Sequence, residues 1–283
     1  MNRLCYEEYD KLKTGSVYIP VDLTQNIDEI KSLLMILLKF QKNVDRIKYV
    51  EAAFQEFQYL KTSIQYPTRI GMINVERTVR SFFTEFSIFL NHWQKYYGNH
   101  PREKEFRTLF DQITKNAYDY SDDYAMATLL RDYGTHAADI IRAWSWGGHD
   151  LHVSCDREAL LKDSFFKESK KEIIRLFSSH FISIEPIMKG ALEELRKIQD
   201  ALIAFAIDYD IRKAANQIAR ITQEMKKYGD KCWYFIEFKE SELLTVNIDG
   251  ELIKYIKGKS MELFRWKEAD KLIATINSND MLA

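Results

Sequence analysis

The chain is short of the residues that build tight turns and covalent cross-links. Its 283 residues include 10 glycines, 4 prolines and 3 cysteines. So few turn-forming residues argue against an all-β fold with many hairpins, and against glycine-rich loops that bind phosphate. The three cysteines are far apart and lack the spacing of a zinc site, so we interpret them as reduced thiols of a cytoplasmic protein.

An excess of charge and a long apolar run are also missing. There are 41 Lys+Arg against 42 Asp+Glu, a formal net charge of −1. This balance excludes a protein that coats nucleic acid over a broad basic face, but it allows a local basic cleft. The most apolar run, from Leu33 to Leu38, is too short to span a bilayer, and residues 1–19 contain no apolar core of a secretory signal. We therefore expect a cytoplasmic protein that does not enter the membrane.

Apolar periodicity predicts a helical body over residues 1–228. Spacings of three and four predict helices over residues 26–64, with a break near 41–43, and from a cap at Asn74 to Tyr97. Further helices are predicted over residues 102–118, 124–144, 157–162 and 166–177, with an irregular stretch near 147–155. The longest run, from Ile184 to Tyr228, has the spacing of a coiled-coil seam and is expected to pair with the N-terminal helices. The fold class predicted is a mainly α, antiparallel bundle of long helices.

The pattern changes to that of strands after residue 228. Three segments within residues 233–257 are rich in β-branched and aromatic residues, and Asp249-Gly250 between the last two is a strong signal for a β-hairpin. A closing helix is predicted over residues 260–276. Residues 229–283 are therefore predicted to form a small, strand-rich α+β appendage.

Histidine is the side chain to consider first for acid–base chemistry near neutral pH. His149 and His152 superficially resemble a metal pair, but we find no further His and Asp ligands on other helices, so no metal or cofactor is expected. The isolated His92, His100 and His180 are expected to have structural or surface roles.

His136 differs because Arg131 stands five positions before it, with the polar Asp132 directly after the arginine. Residues five apart diverge by about 140° on an ideal helix, and Gly134 between them is expected to allow a local distortion. An arginine and a histidine suit RNA cleavage by the 2′-hydroxyl. The imidazole exchanges protons and the guanidinium stabilises charge on the phosphate oxygens, so no metal is needed.

The segment YSDDYAMATLLRDYGTHAADIIRAW, residues 120–144, resembles the signature of HEPN domains: an arginine, a polar residue, a short spacer and a histidine within helices. The resemblance implies a HEPN-like antiparallel helical bundle and a metal-independent endoribonuclease, with Arg131, Asp132 and His136 as catalytic residues. Many HEPN members carry Asn after the arginine. Here Asp132 adds a negative charge near the phosphate, which either orients Arg131 or His136 or weakens the site.

The resemblance further implies a homodimer in which both Arg–His pairs face one groove. Its expected partners are RNA and a neutralising antitoxin or a sensor protein, because bacterial HEPN proteins are often encoded near toxin or phage-defence genes. Tyr133 and Thr135 would then contact substrate, Tyr133 by stacking on a base. The alternative for Tyr133 is ordinary packing in the core.

Two other functions compete with an abortive-infection or toxin ribonuclease. One is a non-catalytic module of the same fold that binds RNA or nucleotide or regulates another protein. The presence of Asp132 after the arginine favours this alternative. The other is a helical scaffold whose long seam, from Ile184 to Met225, docks a protein partner.

Overall fold

The computed structural model describes residues 2–8, 13–18, 27–64, 68–98, 100–137, 139–147, 150–207, 211–214, 216–217, 232–237, 245–246 and 252–254. The protein is mainly helical, as predicted, with small antiparallel sheets. It consists of two compact units, residues 42–205 and residues 1–41 together with 206–283.

The helices lie mostly within the unit of residues 42–205. Numbered along the described chain, they are α1 (Ile27–Val44), α2 (Arg46–Ser63), α3 (Arg69–Gln94), α4 (Glu103–Tyr120), α5 (Asp122–His136), α6 (Arg157–Lys162), α7 (Glu168–Leu176) and α8 (Ile184–Ala206). The predicted break near residues 41–43 is confirmed, because α1 ends at Val44 and α2 begins at Arg46.

The strands form antiparallel sheets in both units. In the unit of residues 42–205, β3 (Ala143–Gly147), β4 (Asp150–Asp156) and β5 (Phe181–Ser183) pair in that order. In the other unit, β1 (Asn2–Glu8) lies between β2 (Lys13–Tyr18) and β6 (Cys232–Glu237), and β7 (Thr245–Val246) pairs with β8 (Leu252–Lys254). No individual element is predicted before residue 26, and the strands β1 and β2 depart from the prediction of a helical body over residues 1–228.

An antiparallel pair of helices, α2 and α3, carries the aromatic core. Phe54 of α2 packs on Phe82 of α3, with ring centroids 6.2 Å apart, and Glu56 accepts a hydrogen bond from Arg77 at 3.1 Å. The apolar face predicted for this helix is buried: Val75, Val79, Phe82, Phe86, Phe89 and Trp93 of α3, and Tyr97 in the turn that follows it. The helix begins earlier than predicted, because the Thr68 hydroxyl, and not Asn74, caps it by accepting the Gly71 N–H.

The long helix α8 pairs with α2, as predicted for the seam. Arg196 donates to Glu51 at 2.7 Å, and Lys61 donates to Glu185 at 2.7 Å. The residue numbers rise along α2 as they fall along α8, so the two helices are antiparallel. The predicted continuation of this helix to Tyr228 lies mostly outside the described residues.

The helix predicted over residues 124–144 is confirmed only as far as His136, and the prediction of an irregular stretch near 147–155 is wrong for the residues that form β4. Helix α5 ends at His136, and Trp144 belongs to β3, where it pairs with Val153 of β4. Leu151, Val153 and Cys155 alternate along β4 and are all buried. A period of two with one buried face requires a strand partner, and β3 supplies it.

The C-terminal predictions are tested only in part. The pairing of β7 with β8 confirms the hairpin, whereas its Asp249-Gly250 turn and the helix predicted over residues 260–276 lie outside the described residues. The predicted boundary between residues 228 and 229 also lies outside them, so it stays a prediction. Within the part of the chain that the structure describes, no helix is both long and apolar enough to cross a membrane.

Candidate functional site

Helix α5 carries the predicted motif and is firmly anchored at both ends. The Ser121 hydroxyl caps its first turn by accepting the Tyr124 N–H at 3.2 Å, and Asp122 complements the helix dipole there. At the other end, the Ala137 N–H donates to the Tyr133 carbonyl at 2.8 Å. The motif therefore lies on a regular helix and not on a loop.

Four of the five predicted site residues share the solvent-facing side of α5. At about 100° per residue, Arg131, Thr135, Asp132 and His136 follow one another around the helix within about 140°. Arg131 and Asp132 are partly exposed, whereas Thr135 and His136 are exposed. Tyr133 lies on the buried side.

The expected distortion at Gly134 is absent, because α5 continues as a helix through this residue to His136. Gly134 instead makes room for Ile140, which follows the helix and is buried. A Cβ atom at residue 134 would lie 2.5 Å from Ile140 Cδ1 and 2.9 Å from its Cγ1. Since the helix is regular, Arg131 and His136 leave its axis about 140° apart within one copy of the chain.

Asp132 holds the Arg131 guanidinium. Arg131 Nε and Nη2 both donate to Asp132 Oδ1, at 2.9 and 2.7 Å. The Arg131 side chain is 24% exposed and that of Asp132 45%. The guanidinium carbon also lies 5.9 Å from the centroid of the Phe86 ring, within range of a cation–π contact.

The Arg131 guanidinium also lies near the buried hydroxyl group of Tyr124. Burial raises the pKa of Tyr124, while the Arg131 charge acts in the opposite direction. Arg131 is thus positioned by the Asp132 carboxylate and the Phe86 ring, and its side chain remains partly exposed.

Tyr133 lies in the core, where it cannot serve as a platform for a base. Its ring is 3% exposed and stacks on Phe166, with centroids 5.2 Å apart and an interplanar angle of 26°. Its hydroxyl donates to Asp163 Oδ2 at 3.0 Å. Burial, followed by this hydrogen bond, raises the pKa of Tyr133. Because the ring faces are covered, the core-packing interpretation describes this residue.

His136 is the last residue of α5, and its side chain is exposed. Asp132 stands one turn earlier on the same side of the helix. Thr135 donates from its hydroxyl to the Arg131 carbonyl at 2.8 Å, so this hydroxyl bonds to the helix itself. Beyond the helix, Asp139 forms an ion pair with Arg80. The His136 side chain is therefore open to solvent.

The other histidines that the structure describes occupy positions typical of structural or surface residues. His100 accepts the Arg102 N–H through Nδ1 at 3.2 Å, and its ring lies 4.9 Å from that of Tyr97. Burial, then the Arg46 charge, lowers the pKa of His92. His149 lies outside the described residues, and among those described no group of three or more His, Cys, Asp or Glu side chains is placed to hold a metal ion.

Sequence reasoning missed the link between α5 and the loop after α6. Tyr133 reaches Asp163 across 30 positions, and Phe165 N–H donates to the other Asp163 oxygen at 2.9 Å. The sequence does show two adjacent phenylalanines between Lys162 and Lys167, but no local pattern indicates that they contact α5.

Comparisons with protein-family models, with curated proteins and with solved structures give no match for this chain. The resemblance to HEPN domains therefore depends on the motif of residues 131–136 and its helical setting.

Proposed function

We propose that this protein is a metal-independent endoribonuclease of HEPN type, with His136 and Arg131 as its reacting and phosphate-binding groups. The observation that supports the proposal is the placement of Arg131, Asp132 and His136 on the solvent-facing side of one regular helix, with His136 exposed at its end. A histidine and an arginine supply proton transfer and charge stabilisation, the two requirements of cleavage by the 2′-hydroxyl.

The proposed reaction needs no external nucleophile. A base removes the 2′-hydroxyl proton, O2′ attacks the adjacent phosphorus, and the bond from phosphorus to O5′ breaks as O5′ receives a proton. The products are a 2′,3′-cyclic phosphate and a 5′-hydroxyl. Arg131 binds the phosphate oxygens, on which negative charge increases in the transition state.

A second copy of the chain completes the proposed site. Because Arg131 and His136 leave α5 about 140° apart, one copy does not focus both side chains on one phosphorus atom. A symmetric dimer that places two α5 helices along one groove would supply two imidazoles, one for each proton transfer. We propose the setting of a cytoplasmic toxin or phage-defence effector, with an antitoxin or sensor protein as a further partner.

A second candidate is a module of this type that binds RNA without cutting it. One observation favours it: Asp132 accepts both hydrogen bonds from Arg131, so a phosphate must compete with a neighbouring carboxylate for the guanidinium. This candidate predicts complexes with RNA but no new ends.

Both candidates are tested by expressing wild type, His136→Ala and, as a matched control, His180→Ala, whose imidazole is also exposed. Growth and the integrity of total RNA are scored, and the purified proteins are incubated with RNA in EDTA. We expect wild type and His180→Ala to cut RNA and His136→Ala to lose cleavage by at least about 100-fold, the scale of general acid–base catalysis. Equal cleavage by all three proteins would contradict the ribonuclease proposal, and binding without cleavage by wild type would favour the second candidate.

A further inference from the structure

Phe165 is a half-exposed aromatic side chain held in a fixed orientation. It is 38% exposed, although it contacts two other rings edge to face: Phe166 at 5.1 Å and 86°, and Tyr133 at 5.7 Å and 65°. Its own N–H donates to Asp163 Oδ1, and Asp163 Oδ2 accepts the Tyr133 hydroxyl. A ring fixed in this way loses little conformational freedom when a flat ligand stacks on it.

The position of Phe165 connects it to the proposed active site. It contacts Tyr133, which lies three residues before His136, and residues three apart are neighbours on a helix. The exposed ring therefore lies beside the C-terminal end of α5, next to the side of the helix that carries the motif.

Three cationic side chains stand near Phe165 in the sequence or next to the residues that contact it. Lys162 and Lys167 stand three residues before and two residues after Phe165, and both are exposed. The Arg142 guanidinium lies beside the Tyr133 hydroxyl and the Asp163 carboxylate. Asp163 is the carboxylate in contact with Tyr133 and Phe165, and the Lys171 cation also lies near it.

Other carboxylates nearby in the sequence already have partners. Glu158 pairs with Arg157, and Glu168 and Glu172 both pair with Arg175. Residues 157–175 carry six cationic side chains against four carboxylates, so this segment is basic, although the chain as a whole is nearly neutral.

We propose that Phe165 is a stacking platform for an unpaired base of single-stranded RNA, and that Arg142, Lys162 and Lys167 bind the phosphates on either side of that base. An exposed aromatic face beside cations is the combination that binds single strands with little sequence preference, because every base offers a π-face. The charge complements a polyanion. The assignment of RNA as the ligand rests on the proposed ribonuclease function, but binding at Phe165 does not require cleavage.

The test measures binding of a fluorescein-labelled, single-stranded 12-nucleotide uridine RNA by anisotropy. All proteins carry His136→Ala so that the RNA stays intact. Phe165→Leu removes the ring, Phe165→Trp keeps an aromatic face, and Phe181→Leu is the matched control, since Phe181 is 49% exposed on β5. Circular dichroism melting shows that each variant is folded.

Stacking on an aromatic ring contributes enough to predict weaker binding by about 5- to 100-fold for Phe165→Leu. Phe165→Trp and Phe181→Leu are expected to bind within about twofold of the parent. A further variant, Lys167→Gln, is compared over a range of salt concentrations. It should lower the slope of log affinity against log salt by about 0.7, one phosphate contact on a single strand.

Unchanged binding by Phe165→Leu would overturn the proposal, as would equal loss in Phe165→Leu and Phe181→Leu. It would also be overturned if the protein bound vesicles of anionic phospholipid but not RNA, or if no RNA binding were found. Cleavage is measured separately on proteins with His136 intact. Failure of the ribonuclease proposal, which is binding without cleavage, is thereby distinguished from failure of the platform, which is cleavage without any effect of Phe165→Leu on RNA affinity.

Discussion

The close packing of Ile140 on Gly134 predicts that Gly134→Ala destabilises the protein, although alanine is the better helix former. Within a helix, replacing Gly with Ala gains about 1 kcal/mol. Here the added Cβ would lie 2.5 and 2.9 Å from two atoms of Ile140, which is 2% exposed and has little room to move. Overpacking of this kind costs about 1–3 kcal/mol. The expected net loss in free energy of unfolding is therefore about 1 kcal/mol.

The assay is urea unfolding of wild type, Gly134→Ala, Ile140→Val and the double variant. Ile140→Val removes Cδ1, the atom in closest contact, and alone should cost about 1 kcal/mol. In the Gly134→Ala background the same change should cost less, because it removes the atom at 2.5 Å while the γ carbon at 2.9 Å stays, so the two substitutions should couple by at least about 0.5 kcal/mol. Stabilisation by Gly134→Ala, with additive effects in the double variant, would refute the packing of Ile140 against α5.

Three further predictions follow from the same region and its sheet. The Phe165 N–H bond to Asp163 holds the pKa of that carboxyl below its usual value, so its contribution to stability is fully present above a pH of about 4 and is lost as the pH falls further. Asp163→Asn should therefore lower the urea midpoint at pH 7, and by progressively less as the pH is lowered below about 4. Burial raises the pKa of the Cys155 thiol to about 12, so iodoacetamide should label it only after unfolding, as followed by peptide mass spectrometry. Asp132→Asn keeps an acceptor for Arg131 but removes the competing charge, and should tighten RNA binding by about fivefold in anisotropy titrations.

Local patterns predicted the helices because their causes are local. The break between α1 and α2 and the buried face of α3 both follow from spacings of three and four, which depend only on neighbours in the chain. The end of α5 was missed because Ile140, Ile141 and Trp144 fit a helical spacing as well as they fit a strand. The pairing of Trp144 with Val153 makes this segment a strand, and the spacing of apolar residues does not reveal that pairing.

The N-terminal strands were missed for the same reason, over a greater distance. Arg3 pairs with Tyr18 in the neighbouring strand β2, but also with Ile236 near the other end of the chain. Neither short segment has a strong alternation of its own, and a strand is stable only in a sheet. Non-local pairing of this kind leaves little trace in a single sequence.

For the candidate site, the sequence predicted that the motif lies in a helix, but it predicted neither the end of that helix at His136 nor the partners of its side chains. Spacing alone places Arg131 and His136 about 140° apart on an ideal helix. It does not show that Asp132 accepts both hydrogen bonds from Arg131, or that Tyr133 is covered by Phe166. The latter contact joins residues 33 positions apart.

End-group analysis of RNA incubated with the purified protein in EDTA tests the central claim most directly. If His136 and Arg131 cleave RNA through the 2′-hydroxyl, wild type will generate 2′,3′-cyclic phosphate and 5′-hydroxyl ends. A 2′-deoxy nucleotide at the cut position will block that cut, and His136→Ala will generate no ends above background. New ends that carry a 5′-phosphate, or the same ends from His136→Ala, would contradict the account.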